Sequence, residues 1–344
     1  MRHAQALNPS VSVIVPVYNG ARTIRACLES LLGQRYPCEI IVVENGSTDD
    51  TSQQVERYAV RLARCEQRGP AAARNAGIAC SQAEVIAFTD ADCIADPGWV
   101  EELVKPYAEA EVGGVGGEIR AYTDGERSEV ERFSEEHAPL VNYFSGPGEF
   151  LPHLYTANAS YRRDLLNQVG GFNPGMLTGE DVDLSWRVQL KTGAKVVYAP
   201  QAVVYHHHRA SRANLARQYR QYGFGEIMLD TLYRRQPGYP RQRRFQFQRM
   251  LKQVAALPRY LVSILLRRMR LASGKITSYE ASAPELWFLI ESNNLRGKIE
   301  ALVATRGMRD PVGALHLDAA HFIQQYYPAS SSIPPAGKTL PERR

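Results

Sequence analysis

Asp90 and Asp92 stand one residue apart directly after the apolar run Val85-Ile86-Ala87-Phe88. A short buried strand that ends in two carboxylates spaced i, i+2 presents them at the crevice where open α/β sheets bind ligands. Carboxylates there can hold a hard divalent cation, and such a cation commonly carries a phosphate. The plainer alternative is a solvated turn, which Asp often supplies. A second acidic group, Glu180, Asp181 and Asp183, opens a segment that runs amphipathically to Leu190. The helix dipole favours acids in a first turn by ~0.3–1 kcal/mol. Three acids within four positions are more than a cap needs. Arg74 lies in the Ala-rich run Ala71 to Ala79, and His206-His207-His208 follows much later. On alternate sides of an extended chain, only one of His206 and His208 can share a face with Asp92.

Positioning these residues falls to alternating strands and helices. Val11 to Val17 is β-branched and reads as the first strand, broken by Tyr18-Asn19-Gly20. Ile24, Leu28, Leu31 and Leu32 then recur at helical spacing. Glu39 to Val43 is a second strand, continuously apolar as a parallel strand covered on both faces should be. It ends in Glu44-Asn45-Gly46-Ser47-Thr48-Asp49, a tight turn with a helix cap, and predicts a helix from Thr51 to Ala63. Gly69-Pro70 punctuates before the Ala-rich helix and the Asp-x-Asp strand. This order predicts a doubly wound nucleotide-binding half. A helix over Gly98 to Ala108 and a Gly-interrupted strand over Val112 to Tyr122 follow. The glycines at 113, 114, 116 and 117 form no G-x-G-x-x-G and read as turn or close-packing positions. Residues 123–155 read as irregular, Asp181 to Leu190 as a helix, and Val196–Tyr198 and Ala202–Tyr205 as two short strands closed by the histidines.

Six clusters occur in one order: Pro16-x-Tyr18-Asn19, Val43-Glu44-Asn45-Gly46-Ser47-x-Asp49, Ala73-Arg74-Asn75-x-Gly77, Asp90-x-Asp92, Gly171-Phe172 and Gly179-Glu180-Asp181-x-Asp183-Leu184. In them the chain resembles family 2 glycosyltransferases of the GT-A fold, over Val11 to His208. The resemblance implies an α/β fold: a GT-A type doubly wound mixed sheet, with a nucleotide-sugar half at residues 10–117 and an acceptor half at 118–208. It implies an inverting transfer from a nucleotide-diphosphate sugar, a UDP-sugar foremost, to a hydroxyl of a saccharide or lipid-linked saccharide, assisted by Mn²⁺ or Mg²⁺. Carried over position by position, Pro16, Tyr18 and Glu44 would hold the base and ribose. Asn19, Asn45, Gly46, Ser47, Arg74 and Asn75 would complete the nucleotide-sugar site. Asp90 would contact the sugar or ribose and serve with Asp92 as a metal ligand, and His206 would approach the metal from the far side. Asp181 would be the general base, with Glu180 the alternative carboxylate. Glu44-Asn45 stands where the family more often has Asp-Asp, and the longer arm of Glu44 leaves the nucleotide open.

The 344 residues, 44% apolar and 22% charged, suit a soluble globular chain of two or three packed units. Five cysteines without a C-x-x-C pair predict a reducing compartment with no disulfide framework or zinc knuckle. In such a compartment the sequon Asn158-Ala159-Ser160 is a chance match. No apolar stretch precedes Val11, so the expectation is a cytoplasmic protein without a secretory signal.

Charge is divided unevenly. Residues 1–200 carry 18 Lys/Arg against 27 Asp/Glu, a net −9, and residues 201–344 carry 23 against 9, a net +14. Between Asp230 and Glu280 lie twelve basic residues and no acid. Residues 209–327 therefore predict a basic helical region, and the Pro/Ser-rich residues 328–344 a disordered tail. The apolar segment Tyr260 to Leu266, flanked by Arg, is far short of the ~20 residues that span a bilayer. Its pattern is that of a helix lying among headgroups. No nucleic-acid module is recognisable. The expected partner is thus an anionic membrane surface on the inner face, the alternative being a solvated helical face.

Two other classes bear on the same residues. A nucleotide-sugar-binding module that has lost catalysis would not need both the Asp90/Asp92 and the Glu180/Asp181 pairs. A nucleotidyltransferase would carry a basic Gly-rich loop early in the chain, where residues 16–24 have Tyr18-Asn19-Gly20 instead.

Overall fold

Val11–Val17 is buried along nearly its whole length, which places it at the centre of a sheet covered on both faces. The computed structural model describes residues 8–122, 125–137, 140–142, 150–239 and 243–306. In chain order the elements are β1 (Val11–Val17), α1 (Ile24–Leu32), β2 (Glu39–Glu44), α2 (Thr51–Val55), β3 (Arg61–Arg64), α3 (Pro70–Cys80), β4 (Val85–Phe88) and β5 (Cys93–Ala95). Then come α4 (Trp99–Val104), β6 (Val112–Ala121), α5 (Glu129–His137), β7 (Ala159–Arg162), α6 (Arg163–Val169), α7 (Glu180–Thr192) and β8 (Lys195–His206). The chain continues through α8 (Arg212–Tyr233), α9 (Arg243–Ala272) and α10 (Ser278–Ala304).

Eight strands form one sheet in the order β3-β2-β1-β4-β7-β6-β8-β5. The first four run parallel, β7 is antiparallel to both β4 and β6, and β5 is antiparallel to β8. Alternation along the strands feeds two cores. Val13, Val15, Ile40 and Val42 pack beneath α1 and α4, with Leu28, Leu31, Trp99 and Leu103. Ile14, Ile41, Ile86 and Phe88 pack beneath α3, α6 and α7, with Ala73, Leu166 and Leu184. Each such aliphatic side chain contributes ~1.5–3 kcal/mol when fully buried. This mixed, doubly covered sheet followed by helices is the α/β GT-A architecture.

Several elements depart from the sequence expectation. The helix from Thr51 ends at Val55, and Arg61–Arg64 is the edge strand β3, paired parallel to β2. Two arginines in four residues mask a strand pattern, yet exposed charge is how an edge strand avoids further pairing. The two short strands before the histidines are one strand, β8. Its register on β6 jumps from Gly117↔Ala199 to Glu118↔Val203, so the strand bulges around Pro200, which has no N–H to give the ladder. Within residues 123–155, α5 is a formed helix, where irregular chain was expected. Residues 328–344 lie outside the described residues.

The last three helices join the sheet-bearing body through α8 and α10, which touch backbone to backbone. A Cβ on Gly223 would stand 2.0 Å from the Asn294 carbonyl oxygen, and one on Gly297 would stand 1.9 Å from that of Arg220. Among the described residues no helix is long and apolar enough to cross a membrane.

Candidate active site

Asp90 and Asp92 follow β4 and precede β5, at the end of the parallel strands. β5 is only three residues long, but it pairs Cys93 with His206. The backbone N–H of His207 donates to the Asp92 carbonyl at 3.0 Å. This pairing brings His206 Nε2 to 3.7 Å from Asp92 Oδ1, although the residues are far apart in sequence. Arg209 Nη1 reaches Asp92 Oδ2 at 3.3 Å. The Oδ1 of Asp92 and the Nδ1 of His206 are buried without a hydrogen-bond partner. His207 turns its ring onto Tyr122, at 4.2 Å between centroids, and His208 packs edge-on to His206 at 5.5 Å. His206 is therefore the histidine that the fold carries to Asp92.

Arg74 ties this strand end to α7. Its guanidinium is buried, with Nη2 2.9 Å from Asp90 Oδ1 and Nη1 2.8 Å from Glu180 Oε1. The ring of Phe172 lies 5.7 Å from the guanidinium carbon. Phe172 is held by Asn75, whose amide donates to the Phe172 carbonyl and accepts from its N–H, both at 2.8 Å. Asn75 thus shapes the site through backbone it grips, and its amide oxygen and nitrogen are both engaged by the protein itself. Asn75→Ala is expected to cost ~1–3 kcal/mol, because both Phe172 backbone groups lose their partner. Urea unfolding measures this, and an unchanged midpoint would mean that the two groups find new partners.

On α7 the three acids differ in fate. Asp183 is buried, paired with Arg187 at 2.7 Å and accepting from the Tyr233 hydroxyl at 2.7 Å, so it is a structural acid. Glu180 is buried on Arg74; burial pushes its carboxyl up and the guanidinium pulls it back. Among the described residues Asp181 has no ion pair of its own. Burial, reinforced by the charge of Glu180 and opposed by Arg74, pushes its carboxyl from 3.8 up to about 7. A carboxyl poised near neutrality at the mouth of a crevice has the proton affinity a general base needs.

The turns after β1 and β2 interlock. Asn19, held at φ 51°, donates its N–H to Ser47 Oγ at 3.0 Å and accepts from the Thr48 N–H on its side-chain oxygen at 2.8 Å. Ser47 N–H in turn donates to Glu44 Oε1, leaving the second oxygen of Glu44 outside that turn. Asn45 is buried, donating to the carbonyls of Cys65 and Gln67 and accepting from Gly69 N–H. It too positions backbone and has no arm left for a ligand. Gly46 sits at φ +80°, where a Cβ would meet the Arg68 guanidinium at 2.4 Å. Pro16 is half-buried within β1, opposite Val43 of β2.

Three residues that sequence reasoning missed contact or face these groups, Arg68 at the turns after β1 and β2 and Arg209 and Tyr222 at the acids. Arg68 donates to the carbonyls of Asn45 and Gly46 at 2.6 Å and lies 5.3 Å over the Tyr18 ring. Its one sequence signal was its place just before Gly69-Pro70. Arg209 and Tyr222 come from beyond the motif region. Tyr222 on α8 lies within electrostatic reach of both Asp181 and Asp90. The sequon residue Asn158 is fully buried, bonded to Trp99, Glu118 and Ala202, which removes it from any glycosylation machinery.

A model of glycosyl transferase family 2 matches residues 12–170. Pre-mycofactocin glycosyltransferase of Mycobacterium tuberculosis is 35% identical over 212 residues, 58% of this chain; the chain spans only 43% of that protein's length. Glycosyltransferase AglE of Haloferax volcanii is 32% identical over 237 residues, 65% of this chain and 76% of AglE. The mannosyltransferase PcManGT of Pyrobaculum calidifontis, solved with GDP-Man and Mn²⁺, shares the fold at a TM-score of 0.50 and 20% identity, over 94% of this chain and 82% of its own. The matched spans cover the crevice from Tyr18 to Asp92, and a third of all residues are shared over three quarters of AglE. On that similarity the chain belongs to glycosyl transferase family 2.

Proposed function

We propose that this glycosyltransferase inverts the anomeric centre while moving a sugar from a nucleotide-diphosphate sugar to a hydroxyl of a saccharide or lipid-linked saccharide. The observation that carries the reading is the separation of two carboxylates with opposite environments. Asp92 carries a buried oxygen without a hydrogen-bond partner beside His206, and Asp181 is an acid whose proton affinity burial has raised. The residues at Asp92 fit a divalent cation, since a buried carboxylate oxygen without a partner stands beside an imidazole nitrogen. Among the described residues no three metal-ligating side chains converge. Asp92 and His206 would hold Mn²⁺ or Mg²⁺ with phosphate oxygens and water completing the sphere, as is usual for these ions. When bound, the ion supplies charge neutralisation for the leaving diphosphate.

The chain's own residues account for the rest. Tyr18, Arg68 and the second oxygen of Glu44 border the place for the base, and a UDP-sugar suits an acid that accepts from an imide N–H. Asp90, fixed by Arg74, faces the sugar or ribose. Asp181 takes the proton of the acceptor hydroxyl; the oxygen forms its bond to the anomeric carbon as the bond to the diphosphate breaks, and the nucleoside diphosphate leaves with the electron pair. Burial pushes the Glu180 carboxyl up while Arg74 opposes that rise, and the charge of Glu180 in turn reinforces the rise at Asp181. We place the reaction on the cytoplasmic side, where nucleotide-sugars are made.

The test is a panel of UDP-, GDP- and dTDP-sugars with Mn²⁺, read first as thermal stabilisation and then as release of nucleoside diphosphate. Binding without any turnover would instead point to a module that has lost catalysis. The pH profile is a second test. A base that titrates at about 7 in the folded protein must be deprotonated to act. The acidic limb of kcat/KM should therefore bend near pH 7 and fall tenfold per unit below it. A limb bending near pH 4 would assign the proton transfer to a carboxylate in an ordinary environment.

A further inference from the structure

Helix α9 is turned inside out for a surface helix. Phe247, Leu251, Val254, Leu261, Leu265 and Met269 recur at spacings of three, four and seven and fall on one face. These six side chains are between 50 and 63% exposed. The contacts α9 makes with α10 include polar ones: Gln253 donates to Glu291 at 2.8 Å and to Asn294 at 2.9 Å, and Arg268 pairs with Glu285 at 2.8 Å. An apolar stripe of this kind, running ~33 Å at 1.5 Å per residue, is larger than the isolated exposed hydrophobics of an ordinary surface.

Charge selects what covers it. Lys252, Arg259 and Arg270 are exposed and lie seven and eleven residues apart, which keeps them on one line beside the stripe. No acid occurs between Asp230 and Glu280. A second copy of the chain docked through the same face would therefore set this fringe against an identical basic fringe. Residues 307–344 carry four basic and three acidic residues, and so bring no net negative charge to match it. An anionic bilayer answers both features, because acyl chains accept the stripe while headgroup phosphates meet the fringe.

We propose that the outer face of α9 is a membrane-docking surface that seats the protein on an anionic leaflet, with the helix parallel to the bilayer plane. The absence among described residues of any membrane-crossing helix is compatible with such peripheral seating. Docking here is independent of the transferase chemistry, so it can fail while that reading stands.

The full-length protein, without donor, is sedimented with vesicles of phosphatidylcholine alone and of phosphatidylcholine mixed with phosphatidylglycerol, at low and high salt. Binding is expected to the mixed vesicles at low salt and to drop at least ~10-fold as salt shortens the Debye length towards a few ångströms. Leu261→Glu with Leu265→Glu should lower binding by at least ~10-fold, and so should Lys252→Ala with Arg259→Ala and Arg270→Ala. Circular dichroism melts confirm that each variant is folded, and Leu261→Ser with Leu265→Ser replaces the Glu pair if that pair does not fold. No binding by the wild type at low salt overturns the proposal, as does full binding by both the apolar and the charge variants. A concentration-dependent dimer that the Leu261/Leu265 variant abolishes, with no vesicle binding, also overturns it in favour of self-association.

Discussion

Asp92→Ala is expected to abolish Mn²⁺-dependent stabilisation by a nucleotide-sugar, and transfer with it, while the ligand-free protein melts within a few degrees of wild type. The Asp92 side chain is one-fifth exposed, lies 3.3 Å from Arg209 and 3.7 Å from His206, and its buried Oδ1 has no hydrogen-bond partner. The fold therefore gains little from this charge. Donor binding at 100 times its dissociation constant stabilises a protein by ~2.7 kcal/mol, and that increment should vanish in the variant. Thermal melts with and without Mn²⁺ and UDP-sugar read the loss directly. Undiminished metal-linked stabilisation would remove Asp92 from the metal site and return it to a solvated turn.

The second large effect is at Asp181. Asp181→Asn keeps the shape and most of the polarity of the side chain but cannot take a proton. Transfer should fall by at least ~10²-fold, with donor affinity nearly unchanged. The same substitution should stabilise the ligand-free protein, and the sign follows from linkage. The folded-state pKa is raised from 3.8 to about 7, so the folded protein holds a proton that the unfolded chain releases across that window. Stability from this group therefore declines as pH rises from about 4 to 7, and the full cost of the buried charge is present above 7. Asn carries no such cost. The melting temperature of the variant should exceed that of wild type at pH 8 and converge with it near pH 4. A variant that transferred sugar at near wild-type rate would move the proton transfer to Glu180, since Asp183 is held by Arg187 and Tyr233.

Much of the sheet is legible in the sequence because β1, β2 and β4 are runs of β-branched and apolar residues with a polar break at each end. β3 and β5 are not legible for opposite reasons. Arg61-Leu62-Ala63-Arg64 is an edge strand whose charges hide its period, and Cys93-Ile94-Ala95 is too short to have one. At the site, Arg74 pairs with both Asp90 and Glu180, so three residues from separate motifs meet in the structure. The asparagines are a different case. Asn45 and Asn75 look like ligand contacts in the sequence, yet both use their amides on backbone across the crevice wall. A polar residue in a strand-end loop serves either purpose, and nothing in its type or spacing tells which. Arg209 and Tyr222 escape motif reading altogether, because only the path of β8 into α8 brings them to the acids.

The meeting of α8 and α10 at Gly223 and Gly297 bears on how this enzyme can be re-engineered. With carbonyl oxygens 2.0 and 1.9 Å from where a Cβ would stand, neither position accepts any other residue without moving a helix. Gly225, two residues after Gly223, stands against Thr178, where a Cβ would lie 2.7 Å from the side-chain methyl and 2.9 Å from the carbonyl oxygen, two residues before the acids of α7. The carboxy-terminal helices are thus keyed, ridge to notch, into the loop that presents Asp181. A chimera that grafts another family member's helices onto this catalytic body will need to exchange α8, α10 and the 176–179 loop as one cassette. Swapping α10 alone would put any side chain that replaces Gly297 into a gap that has no room for even a methyl group, forcing α8 and with it the Gly225–Thr178 contact to shift.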